Sequence, residues 1–264
     1  MSQSCGAVVP PAPGPVEREQ DLARIRKQLV LYARDLKQTL DAERRRAGEL
    51  ESAYYDTVLR LMLASQYRDD ETGEHIRRIV DYVRRLALGL GIDGGEAELL
   101  AAAAALHDVG KIAIDDAILR KPGPLTAAEW KVMKRHTTIG ARILEGSPSP
   151  LLKLGHDIAL THHENWDGTG YPRGLAGEDI PLAGRLVMLA DRYDALRSRR
   201  PYKPAFDHET AVRMLLHEDD VRTRPAHFEP RLLELFTQIH PDFDAIWRTW
   251  QLDGGVFVAR GGGR

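Results

Sequence analysis

The spacing of apolar residues changes character twice along the chain, near residue 17 and near residue 66. Leu22, Ile25, Leu29, Tyr32 and Leu36 follow spacings of three and four. After a slip of four residues, Leu40, Ala47, Leu50, Tyr54, Thr57, Leu61 and Ala64 resume that spacing. Arg, Lys, Glu and Asp fill the positions between. A seam this narrow predicts an amphipathic helix over 17–65. It is either paired with a second copy as a coiled coil with a stutter at the slip, or laid on the surface of its own domain. Residues 1–16, rich in Pro, Ala and Gly, are expected to be disordered.

Over 66–250 nearly every segment has helical periodicity. "EHIRRIVDYVRRLALGLGI" is amphipathic and ends in glycine, and "GEAELLAAAAALHDVGK" predicts a buried alanine-rich helix. "LTAAEWKVMKRHTTIGARILE" opens on Thr126 with Glu129 three residues later, a capping-box pattern, and places Trp130, Met133 and His136 on one core-facing side. "LLKLGHDIALTHHE", "LAGRLVMLADRYDALRS" and two segments near 208–217 and 230–250 are further helices. No alternating strand set, hairpin or internal repeat stands out. The expected fold is all-α, a helical bundle domain over 66–250 preceded by one long helix. Loops are expected at 112–125 and 165–184, and a flexible tail over 251–264.

Composition narrows the class. In 264 residues, apolar side chains make up 43% and charged ones 29%, enough for a core with a well-solvated surface. A net charge of −2 excludes the strongly basic footprint of a protein that coats a nucleic-acid polymer. Cys5 is the single cysteine, so no internal disulfide and no thiolate metal site can form. The N-terminus lacks a basic start followed by an apolar core, and the run "LLAAAAAL" is far short of the ~20 residues of a spanning helix. These features predict a soluble, cytoplasmic protein without a membrane partner.

Six of the ten histidines fall between positions 75 and 163. Singly, each is better explained as an ordinary hydrogen-bonded residue; together their placement is informative. Glu71 and His75 are four apart and share a helix face. His107 and Asp108 follow directly on an apolar run, where a charged pair needs a partner or a metal. His136 lies on the core side of its helix, His162 and His163 close another, and Asp191 interrupts the apolar "RLVMLADRYDAL". Imidazole with carboxylate suits Fe, Mn, Zn or Ni and is too nitrogen-rich for calcium. Eight candidate ligands exceed the needs of one ion, which points to two or three ions with a bridging carboxylate.

"HDVGK" followed by "THHENWDGTGYP" resembles the HD-GYP family, HD-domain metal phosphohydrolases that hydrolyse cyclic di-GMP. "ETGEH", "KPGPLTAAEWKVMKRH", "GLAGEDIPLAGR", "ADRYDAL" and "RPYK" are similar to family segments in family order. The resemblance implies that His75, His107, Asp108, His136, His162, His163 and Asp191 are metal ligands, with Asp108 bridging. Glu71 matches the extra carboxylate of members with three ions. It implies Fe or Mn as the ions, and hydrolysis to pGpG and then GMP through in-line attack by a bridging hydroxide. Lys111 matches a lysine on the substrate phosphate and leaving oxygen. Asp194 matches an acid lying either behind the ligands or against the substrate, and Arg200 and Lys203 match a phosphate clamp.

The loop Asp167–Pro172 is either a tight surface turn or a lip that sets Tyr171 over the substrate. On the family's pattern it can also dock a diguanylate cyclase. Gly168 and Gly170 are expected to supply positive φ there. Two positions depart from the pattern. Asp115 stands where a proline is usual, and Arg197 where a small hydroxyl residue is commoner, which should add charge near the clamp. The long helix is expected to form a homodimer. The alternatives are a phosphohydrolase for another cyclic dinucleotide or nucleotide, and a non-catalytic adaptor. An adaptor has no need of a complete ligand set.

Overall fold

The computed structural model describes residues 14–66, 73–198, 205–218 and 223–252. Glu71, Arg200 and Lys203 lie outside the described residues, as does nearly all of the segment expected to be disordered and of the C-terminal tail. Among the described residues the chain is helical, with no strand and one isolated bridge, Asp167 to Ala176. No helix among them is long and apolar enough to cross a membrane.

The chain divides into two compact units, Met1–Asp56 and Thr57–Arg264. Helix α1, Pro15–Gln66, runs the whole length of the predicted seam. Within the first unit Leu22, Ile25, Leu29, Tyr32, Leu36 and Leu40 are all exposed. The side chains of Leu61 and Ala64 lie outside the described residues.

The second unit is built around α8, Leu182–Arg197. Its residues Leu186 to Ala190 are all buried, so this helix is apolar on nearly every side and occupies the centre. Against it pack α2, Gly73–Gly89, and α7, Pro150–Thr161, with α3, Gly94–Ala104, lying on both. Helix α2 buries His75, Ile76, Ile79, Tyr82, Val83 and Leu86, the three-four spacing of one face. It ends where Gly91 turns to φ +81° and Ile92 N donates back to Ala87 O at 3.1 Å, satisfying carbonyls the helix would otherwise orphan.

Two short helices follow the alanine-rich segment: α4, Asp116–Leu119, and α5, Ala127–Met133. Asp115 accepts from Ala117 N at 2.8 Å and so starts α4 by capping, an ordering device in place of the absent proline. The expected capping box forms between Thr126 and Glu129. The single helix expected to carry Trp130 and His136 is interrupted: α6, His136–Leu144, begins anew after Lys134 and Arg135. Side chains take the carbonyls at the break, His136 Nδ1 donating to Met133 O at 2.8 Å and Thr137 Oγ1 to Lys134 O at 2.9 Å. Trp130 is therefore 45% exposed instead of core-facing, while His136 is buried.

Helices α9, His208–His217, and α10, Pro230–Leu252, close the unit. Phe243 of α10 stacks on Tyr82 at 4.4 Å, and Tyr193 meets both rings edge-on. This aromatic cluster ties α2, α8 and α10 together, which fixes the relative placement of His75, Asp191 and Asp194.

Candidate metal centre

Asp108 sits where several helix ends converge. The turn Val109–Ala113 after it packs directly on α6. A Cβ on Gly110 would fall 1.9 Å from His136 O and 2.5 Å from Gly140 N, so the glycine of "HDVGK" is required by backbone contact. That contact brings His136 to Asp108, with His136 Nε2 3.3 Å from Oδ1. His162, the residue that ends α7, approaches the same oxygen to 3.6 Å, and His107 Nε2 approaches Oδ2 to 3.2 Å.

Three of these imidazoles are oriented by their own backbone. Nδ1 of His107, His136 and His162 faces Ala104 O, Met133 O and Ile158 O at 2.9, 2.8 and 2.9 Å. A carbonyl only accepts, so each Nδ1 carries a proton, and in the neutral imidazole each Nε2 presents a lone pair to the centre. His75 is oriented differently, its Nδ1 lying 2.7 Å from Asp194 Oδ2. Two ligand groups result, Asp108 with His136, His162 and His163, and Asp108 with His75 and His107, the ligand atoms of each lying within 4.8 Å of one another. Asp108 belongs to both. Asp191 stands beside the second group, 3.9 Å from His75 Nε2.

The donor set fits divalent cations. His107 Nε2 and Asp108 Oδ1 are buried with no partner in hydrogen-bonding geometry among the described residues. His136 Nε2 and His162 Nε2 point at each other across 3.4 Å with no proton on either when both imidazoles are neutral. Buried lone pairs converging on a carboxylate in this way are costly without a cation between them. Burial lowers His136 to about 4 and holds His163 well below its ordinary value, so both imidazoles are neutral at pH 7, the form able to bind a cation. Burial opposes the charged forms of His107 and Asp108 too. Against that burial, and with no cation in place, the Asp108 charge raises His107 to about 9, so its Nε2 holds a proton that a bound cation would displace, while Lys111 and His107 hold Asp108 well below the carboxylate range. Lys111 Nζ lies 2.8 Å from Asp108 Oδ2.

The stretch after His163 folds back over the centre. Gly168 has φ +79°, whereas Gly170, expected to do likewise, is required for close approach: a Cβ there would lie 2.3 Å from Asn165 N. Buried Glu164 fastens the turn, accepting from Arg173 N at 2.7 Å and Leu175 N at 3.0 Å. Tyr171 is thereby set against His163, ring centroids 4.7 Å apart, with Lys134 Nζ 4.8 Å from the Tyr171 ring centroid. Burial raises the Tyr171 phenol, which stays protonated.

A cleft of about 910 Å³ opens from the centre, lined by Asp108, Lys111, His136, His163 and Asp191, and further out by Trp130, Tyr171, Arg192 and Arg224. Of the residues expected to meet substrate, Lys111 and Tyr171 line it. Asp194 does not: it is fully buried behind His75 and gripped by Arg78. Arg197, expected to add charge near the clamp, does not line the cleft. Its guanidinium donates to Tyr193 Oη and Asp244 Oδ1, both at 2.8 Å, in the packing of α8 on α10. Sequence reasoning passed over Arg192 and Arg224 in the cleft and Arg78 behind it. For Arg78 a signal existed, since it follows His75 by three positions on one helix face.

The model of the HD domain family matches residues 58–225, and the chain belongs to that family. It is 39% identical over 229 residues to a 3'3'-cGAMP-specific phosphodiesterase 2 of Vibrio cholerae serotype O1, covering 86% of this chain and 43% of that protein. It is 40% identical over 222 residues to a cyclic di-GMP phosphodiesterase of Thermotoga maritima, covering 82% and 59%. With the cyclic di-GMP phosphodiesterase response regulator RpfG of Xanthomonas campestris it shares 43% over 187 residues, 71% and 48% of the two chains. The chain spans about half the length of the curated relatives it matches.

Proposed function

We propose that this chain is a metal-dependent phosphodiesterase that opens cyclic di-GMP to pGpG and carries hydrolysis on to GMP. The observation that carries this reading is the pair of ligand groups sharing Asp108, with Lys111 beside them at the base of an open cleft. In it, His75, His107, Asp108, His136, His162, His163 and Asp191 hold two divalent ions, iron or manganese, and Glu71 contributes to a third. Bound there, the ions would supply Lewis acidity toward water and toward the phosphate under attack.

The chain's own groups orient the substrate. The Lys111 ammonium balances charge on the phosphate and gives a proton to the departing oxygen. Tyr171, held as a phenol, donates to a phosphate or sugar oxygen. Arg200 and Lys203 grip the second phosphate, the guanidinium in a fork and the ammonium as a point charge. Asp194 acts from behind, through His75. The cleft lies within the ~300–1,000 Å³ range of sites that enclose small ligands. Glu71→Ala should remove about one ion per chain while leaving the helical content unchanged. An unaltered metal content in that variant overturns the three-ion assignment.

A second reading has its own support, because a relative matched over 86% of this chain is named for 3'3'-cGAMP. Hydrolysis of cyclic di-GMP and of 3'3'-cyclic GMP-AMP, compared at equal concentration, decides between them. Faster opening of cyclic di-GMP supports the first reading, and turnover confined to the hybrid dinucleotide replaces it. An adaptor that only binds the dinucleotide is disfavoured by the intact donor set. The same reading places the protein in the cytoplasm. It pairs two copies through the exposed seam of α1 and lets Gly170–Tyr171–Pro172 also meet a diguanylate cyclase.

A further inference from the structure

Arg78 is outside the ligand set, yet its guanidinium is held on every side. Nε donates to Asp194 Oδ1 at 2.6 Å and Nη2 to Asp194 Oδ2 at 2.9 Å, a two-pronged grip on a carboxylate that is 0% exposed. The Trp247 ring of α10 covers the guanidinium at 4.3 Å, and Glu74 approaches it to 3.7 Å. The same Asp194 accepts from His75 Nδ1 at 2.7 Å and from Ser198 Oγ at 3.3 Å. A buried ion pair is weak evidence of stability, since apolar residues of like volume often serve as well. Its geometry has a definite consequence here. A carboxylate fixed at both oxygens cannot rotate, so one acceptor is permanently aimed at His75 Nδ1. The imidazole must then carry its proton on Nδ1 and leave the Nε2 lone pair facing Asp191, 3.9 Å away.

His107, His136 and His162 receive the same instruction from backbone carbonyls. His75 receives it through Asp194. We propose that Arg78 is a positioning residue of the metal centre, which sets the orientation and tautomer of His75 by locking the Asp194 carboxylate. This rests on the metal-centre reading above. The effect is confined to the His75 and His107 side, because Arg78 and Asp194 touch none of the ligands of the other group in the contacts described. Lysine in place of Arg78 keeps the charge but not the fork.

The test uses the full chain stripped of metal, with Mn²⁺ alone as the probe and no substrate. Wild type should bind at least two equivalents. Arg78→Lys should bind one of them about 10- to 100-fold more weakly, the range seen when a ligand's supporting partner is lost, with the remainder unchanged. Imidazole ¹⁵N spectra of the metal-free proteins give a second readout. His75 should be protonated on Nδ1 in wild type and a mixture of tautomers in Arg78→Lys, with thermal unfolding showing that the variant is folded. Equal Mn²⁺ affinities in the two proteins, or an Nε2-protonated His75 in wild type, overturn the proposal while leaving the metal centre standing. The wild-type spectrum decides this even if the variant does not fold. Failure of wild type to bind Mn²⁺ overturns the metal-centre reading and this proposal with it.

Discussion

The two halves of the candidate centre meet at Asp108 but are held by different means. On one side His136 and His162 are aimed by carbonyls three and four residues back in their own chain. On the other, His75 is aimed by a side chain 119 residues away, itself gripped by Arg78, whose guanidinium Trp247 of α10 covers. The first arrangement depends on short-range backbone geometry and survives as long as the local turn does. The second depends on three helices keeping their distances. A site built this way has three histidines fixed by their own backbone, His107 of the second half among them, and one, His75, that reports on the packing of α2, α8 and α10.

The largest expected perturbation strikes the point where both halves are anchored. Gly110→Ala puts a methyl group into the backbone of His136 and should cost about 3 kcal/mol in stability, with loss of bound metal on both sides. Thermal unfolding and metal analysis of the same sample check this; an unshifted transition would show that the contact between the two backbones is not tight.

Glu164→Ala comes next and should act on the rigid side alone. Two backbone donors in the lip lose their acceptor, at about 1–3 kcal/mol each. With Tyr171 no longer held against His163, KM should rise about tenfold, equivalent to about 1.4 kcal/mol, while metal content stays the same. A loss of metal in place of a rise in KM would mean that the lip supports the ligands and not the substrate.

The smallest effect belongs to the packing behind the other half. Burial works to raise the Asp244 carboxyl, but the hydrogen bond and charge of Arg197 hold it below the ordinary range. A depressed carboxylate contributes stability above its ordinary pKa and loses it as pH falls through the depressed value. Asp244→Asn should therefore lower Tm at pH 7 by about 3 °C, roughly the shift expected of 1 kcal/mol in a domain this size. The difference from wild type should shrink toward pH 3. A difference that stays constant with pH would assign the effect to packing and not to charge.

The same contrast explains what could be read before the structure. Candidate ligands at helix ends stood out because each histidine or aspartate interrupts an apolar run, and a polar group in that position needs a partner. Helix spacing identified α2 as amphipathic and the alanine-rich α3 as buried, and the capping box located the start of α5. The break before His136 was not legible, because it depends on the Met133 and Lys134 carbonyls being taken by side chains, an exchange that leaves no trace in periodicity. Arg197 was misread for a related reason. Proximity in sequence to the phosphate clamp suggested the cleft, whereas Asp244, on a helix 47 residues further on, supplies its partner. Long-range partners of this kind set the direction of a side chain without altering any local pattern.

The claim most in need of a direct test is that Asp108 joins both ligand groups into one hydrolytic centre. Cyclic di-GMP turnover should be measured on protein purified without oxygen, with bound metal quantified on the same sample, for wild type and for Asp108→Asn. Wild type is expected to carry two or three ions and form pGpG, and the variant to remain helical with neither metal nor turnover. A wild-type protein fully loaded with metal that leaves every cyclic dinucleotide intact, or a variant that keeps its full metal complement, would contradict the account.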